Sequence, residues 1–217
     1  MQQKKRHQDP EVSALVRAAE RAFESITRRQ RVDVPSLNLI VVAASDKRVA
    51  VRDVSTLLLA SLSADFEEAR SAVLDMSKSP KWHVRFNSLL CLSAAAPKPY
   101  LKEVIRRLLF DAQSARVREM AASKAFTLRL RSLVFDLRKA AESEASEKVS
   151  KGLRFSIGML ADGYLLERLS DGQIYVVVPT ETGCTAAPYS SDTIEKRGIG
   201  AIVKEIQSRA SKLRGRQ

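Results

Sequence analysis

Aromatic side chains are scarce in this chain, at 6% of 217 residues, and tryptophan occurs once, as Trp82. Histidine occurs twice, as His7 and His83, and cysteine twice, as Cys91 and Cys184. So few imidazoles and thiols, none of them neighbours in sequence, leave nothing from which a Cys/His metal site could be built. The same two cysteines exclude a disulfide framework and point to a reducing, cytoplasmic setting. Glycine is limited to eight residues, and no glycine-rich phosphate loop, nucleophile elbow or paired-histidine motif is present. Gly198-Ile199-Gly200 is too short a signal to stand for one. Long apolar runs are missing too. The most apolar stretch, residues 37–44, falls far short of the ~20 residues that span a bilayer, so no membrane partner is expected. The amino terminus is charged and leads into no apolar segment, unlike a signal peptide. It reads as a flexible basic arm over residues 1–10. These absences give the expectation of a protein that is not an enzyme and needs no cofactor.

What the chain does have is a beat. A Val-Arg pair recurs at Val16-Arg17, Val51-Arg52, Val84-Arg85 and Val117-Arg118 and weakens to Val149-Ser150, with steps of 35, 33, 33 and 32 residues by subtraction of those numbers. A fixed period in this range marks stacked supersecondary units. Each pair begins a helical pattern: Val51, Val54, Leu58, Leu59 and Leu62 fall on one stripe, as do Val117, Met120, Ala121, Ala125 and Leu128. Ser79-Pro80 is positioned as an N-cap followed by proline in the first turn. Asp46 stands at the matching place before Val51, and Ser114 and Ser146 stand three residues before their valines. A second helix follows each first one, opened at Asp33-Val34-Pro35, at Asp65 and at Pro99, with residues 131–141 completing the fourth pair. Short polar connections make consecutive helices antiparallel.

The sequence Asp/Ser-Pro-x-x-x-Val-Arg, then an apolar helix and a second helix, resembles the HEAT repeat. Residues 79–85 and 46–52 match best, and the resemblance extends over roughly residues 11–162. It implies a right-handed α-solenoid with first helices on the convex side and second helices on the concave side, and it implies no particular function. In such a stack the valine is core, and the arginine is expected to tie one repeat to the next through an acidic or carbonyl partner.

The period stops after Leu160. Residues 163–169 and 173–179 flank Ser170-Asp171-Gly172 and predict a β-hairpin, with Pro179 closing the second strand or confining it to an edge. Residues 180–191 predict a loop, and residues 192–213 a final helix interrupted near Gly198 and Gly200. The whole is expected to be mainly α: a short HEAT-like α-solenoid of four to five helix pairs over residues 11–162, and a hairpin, loop and helix over residues 163–217 that cap its last apolar face.

Charge is concentrated. The formal net charge is +12, and residues 81–140 hold thirteen Lys and Arg against four Asp and Glu, a local excess of +9. Lys98, Lys102 and Arg106 fall four residues apart on a second helix. One 33-residue step lands on Arg131, Phe135 and Lys139, with Arg107 and Arg138 beside them. A surface of one sign attracts a partner of the other. The expected function is therefore non-catalytic binding of an acidic macromolecule on a basic concave face, with a protein as the leading partner class. A toxin-neutralising immunity protein and an adaptor are both cases of it. Trp82 is a candidate contact, or else covers the seam between two repeats. Nucleic acid is the competing partner, although the stacking aromatics and sequence motifs of nucleic-acid modules are missing. A more distant comparison is with the alkylpurine DNA glycosylases, which share a HEAT-like scaffold and basic cleft. Asp111 or Asp136 near Phe135 would have to supply their acidic residue.

Overall fold

The computed structural model describes residues 9–180 and 183–214. The basic arm expected at the amino terminus lies, apart from Asp9 and Pro10, outside the described residues, as does the end of the basic tail. The fold is mainly α with a small antiparallel sheet near the carboxyl end, and the chain divides into two compact units, residues 1–128 and 129–217.

The first unit begins with α1 (Pro10–Arg29), where proline occupies the first turn and the Asp9 carboxylate accepts the Glu11 N–H at 3.0 Å. Gln30, in the left-handed region at φ 52°, ends it. Then come α2 (Val34–Ala44), α3 (Val49–Asp65), α4 (Glu67–Ser77), α5 (Trp82–Leu90), α6 (Lys98–Leu109) and α7 (Ala115–Thr127). The expected caps at Asp33 and Ser114 form: Asp33 accepts from the Ser36 N–H at 2.9 Å and Ser114 from the Val117 N–H at 3.3 Å. Helix α1 packs on α2 and α3, α3 on α4 and α5, and α5 on α6 and α7, while α2, α4 and α6 touch in the same order. Each helix thus meets its neighbour and its next-but-one, which gives two layers of helices with the apolar stripes between them. Val51, Val84 and Val117 are all buried there, as the period requires.

Three helix starts differ from expectation. Ser79 does not cap α5. Its hydroxyl accepts the Lys81 N–H at 3.3 Å and the helix begins only at Trp82. Asp46 likewise accepts the Arg48 N–H at 2.7 Å and lies one short bend before α3. At Ser79 the reason is visible, because the carbonyls of Ser79 and Pro80 are turned toward the Arg85 guanidinium, at 2.7 and 3.0 Å. Asp65 is the last residue of α3 rather than the start of α4, and Phe66 is the whole junction.

In the second unit a 3₁₀ turn, Arg131–Leu133, leads into α8 (Val134–Ser143), which packs against α9 (Glu147–Ala161). The hairpin forms as β1 (Leu165–Arg168) and β2 (Ile174–Pro179), with Leu165 opposite Val177 and Arg168 opposite Ile174. Gly172, at φ 83°, takes the turn conformation that favours glycine. A third strand, β3 (Cys184–Tyr189), runs antiparallel to β2 where a loop was expected. Ala186, Ala187 and Pro188 have little strand propensity, so only pairing with the strongly β-forming β2 makes this segment extended. Pro188 is tolerated because β3 is an edge strand. The final helix is split into α10 (Ser191–Arg197) and α11 (Ile199–Arg214) at Gly198, whose φ is 75°. Val176 and Val178 of β2 bury against Ile202 and Ile206 of α11, forming the core of this segment. No helix among the described residues is long and apolar enough to cross a membrane.

Candidate functional site

The arginines separate into two populations. One is used up inside the fold. Arg85 is buried and donates to both carboxylate oxygens of Asp111, through Nε to Oδ2 and through its second amino nitrogen to Oδ1 at 3.2 Å. It also donates to the Gln113 side chain at 3.0 Å and to the two carbonyls of the preceding turn. Asp111 in turn accepts the backbone N–H groups of Gln113 and Ser114, at 3.0 and 2.8 Å, and its carbonyl accepts from Arg118 at 2.8 Å. Arg85 and Arg118 therefore tie neighbouring helices through the α6–α7 connection. Arg52 does not follow the pattern and pairs with the adjacent Asp53. With Arg85 and two amides on it, the Asp111 carboxylate is a structural acceptor.

On α6, six apolar side chains from Tyr100 to Leu109 face the core, which leaves Lys98, Arg106 and Arg107 exposed and Lys102 half-buried. Four-residue spacing puts Lys98, Lys102 and Arg106 along one flank of that helix, and Glu103 shares the exposed arc with Arg107. Arg106 already has a partner within the protein. Lys98, Lys102 and Arg107 make no hydrogen bond or ion pair among the described residues.

On α8, Phe135 is 77% exposed, and Arg138 and Lys139, three and four positions on, share its face and are likewise exposed and unpaired among the described residues. Arg131 is placed differently from the expected stripe. It precedes α8 in the 3₁₀ turn, and its guanidinium donates to the carbonyls of Leu160 and Ala161 at 2.8 and 2.9 Å. Those are the last acceptors of α9, so Arg131 caps that helix end.

Trp82 is 45% exposed. The Arg116 guanidinium of α7 lies 5.8 Å from its ring centre and 5.2 Å from that of the buried Phe86. Trp82 thus reaches from α5 to α7, as a seam residue does. Sequence reasoning passed over Arg116. Its signal was the period itself, since Arg116 stands 33 residues after His83, and equivalent positions of stacked repeats lie side by side.

Among the described residues, Cys91 and Tyr100 are also buried and Lys124 is half-buried. Burial pushes the Cys91 thiol and the Tyr100 phenol up and the Lys124 ammonium down. Each shift disfavours the charged form in a dry interior.

No family model matches the chain, and no curated protein matches it. Among solved structures it is similar to an engineered protein at 18% identity, over 73% of this chain and 76% of that one, with a TM-score of 0.39. A likeness that distant carries no argument.

Proposed function

We propose that this chain is a non-catalytic, HEAT-like binding protein of the cytoplasm that holds an acidic protein partner on basic helix surfaces. One observation carries the reading. Arg85, Arg118 and Arg131 are consumed by internal acceptors, whereas Lys98, Lys102 and Arg107 on α6 and Arg138 and Lys139 on α8 have none among the described residues. Cations that stabilise nothing inside the fold, gathered on two helices, supply a field for an oppositely charged partner. An immunity protein and an adaptor remain two cases of this function. For the glycosylase comparison, Asp111 is held by Arg85 and two backbone amides, which leaves Asp136 as its acidic residue.

Nucleic acid is the second reading, and the exposed Phe135 beside Arg138 and Lys139 favours it, since an aromatic face among cations can stack a base. The two readings separate on labelled polyglutamate and on single-stranded and duplex DNA of mixed sequence, titrated across a salt series. The proposal predicts polyglutamate binding that weakens in Lys98→Glu/Lys102→Glu/Arg107→Glu and in Arg138→Glu/Lys139→Glu, with DNA weaker than ~10⁻⁴ M at physiological salt. Tighter DNA binding with a steep salt slope, and no hold on polyglutamate, would replace it by the nucleic-acid reading.

A further inference from the structure

Arg116 is ordered by a different means from four other arginines of the first unit. Arg48, Arg70, Arg85 and Arg118 are held by oxygen acceptors at the edges of their guanidinium groups. Arg116 lies instead beside two aromatic rings, Trp82 at 5.8 Å and Phe86 at 5.2 Å, both within the range of a cation–π contact. It has no hydrogen bond or ion pair among the described residues and is exposed.

A guanidinium offers a ring its flat face and an acceptor its N–H edge. The ring contacts, 5.8 and 5.2 Å from the guanidinium carbon, involve no oxygen acceptor, so its planar fork of donors has no partner among the described residues. They also restrict a long side chain before any ligand arrives, so less freedom remains to be lost on binding. Such a fork matches the two oxygens of a carboxylate. Lys81, exposed and next to Trp82 in sequence, adds a second positive charge on the same end of α5.

From this we infer that Arg116, gripped by Trp82 and Phe86, is a carboxylate-recognition point for Asp or Glu side chains of an acidic protein partner. The inference rests on the acidic-partner reading and adds to it a contact outside α6 and α8.

Trp82, the one tryptophan of the chain, is its own reporter. Polyglutamate is titrated into the intact protein and into Arg116→Lys, with binding read from the anisotropy of the labelled peptide and the site from Trp82 emission. Sodium chloride at matched ionic strength is the control. The lysine variant keeps the charge but loses the planar fork, and its exposed position spares the fold. The expected result is a saturable change in Trp82 emission with polyglutamate, which the salt does not reproduce. Arg116→Lys should lose that change and bind about tenfold more weakly, the scale of a charge-assisted hydrogen bond. Polyglutamate that binds equally well to both proteins, or an emission change that salt alone produces, would overturn the inference and leave the α6 and α8 surfaces standing. No polyglutamate binding to either protein would overturn the acidic-partner reading and this inference with it.

Discussion

Asp111 receives two nitrogens of the Arg85 guanidinium, from a helix start 26 residues earlier in the chain, and both side chains are buried. Around that pair the end of α6, the start of α7 and the turn before α5 are fixed by hydrogen bonds to one guanidinium and one carboxylate. Removing one partner strands the other charge in a dry site, which costs about 3–5 kcal/mol for a buried pair. Asp111→Ala and Arg85→Ala should each lower the urea midpoint by that order, with Trp82 fluorescence following the first unit. Replacing both by apolar residues, as in Arg85→Met/Asp111→Leu, should cost less than the two single changes added together. Strict additivity would show that the pair is not coupled.

Asn87 is buried in α5, and its side-chain amide donates to the carbonyls of Ala44 at 2.9 Å and Asp46 at 3.1 Å. It closes the end of α2 against α5. Asn87→Leu keeps the branching at Cγ but strands both carbonyls, at about 1–3 kcal/mol. Hydrogen exchange at the α2–α3 connection is the local readout, and protection unchanged by the substitution would contradict this role.

Arg131 and Arg138 look equivalent in the sequence and are expected to behave oppositely. Arg131→Ala removes two hydrogen bonds from the end of α9 and should destabilise the second unit by about 1–3 kcal/mol. Arg138→Ala, on the exposed face of α8, should stay within about 0.5 kcal/mol and weaken only polyglutamate binding. Thermal melts beside anisotropy titrations test the division. Equal stability of the two variants would dissolve it.

Acid sensitivity has a definite sign. The Ser36 N–H holds the Asp33 carboxyl below its ordinary value of 3.8, and the Arg48 guanidinium does the same for Asp46. Below about pH 4 the unfolded chain then binds more protons than the folded one, and stability falls as pH drops through the folded-state values. Asparagine still caps a helix but carries no charge. Asp33→Asn should therefore flatten the loss in urea midpoint between pH 5 and pH 2, whereas a loss as steep as in the parent protein would rule out Asp33 as a source.

The sequence made the helical layers legible because burial of an apolar stripe leaves a period. Val51, Val84 and Val117 could be placed before any coordinate was known. The hairpin was equally readable from Asp171-Gly172 between two β-branched runs. Strand β3 was not, since its conformation comes from pairing with β2 and not from its own residues. The cations show the same boundary. A helical stripe on α6 follows from spacing alone. Whether a given arginine is spent depends on acceptors 26 to 30 residues away, as at Arg85 with Asp111 and Arg131 with Leu160 and Ala161. The 3₁₀ turn that takes Arg131 off the α8 stripe has no mark in composition.

Lysine acetylation footprinting, with and without saturating polyglutamate, tests most directly whether the unpaired cations of α6 and those of α8 each contact an acidic partner. The account predicts that Lys98, Lys102 and Lys139 are protected, while Lys78 and Lys151, paired with Asp75 and Glu147, react as they do in the free protein. Protection spread evenly over all lysines, or confined to Lys78 and Lys151, would contradict it.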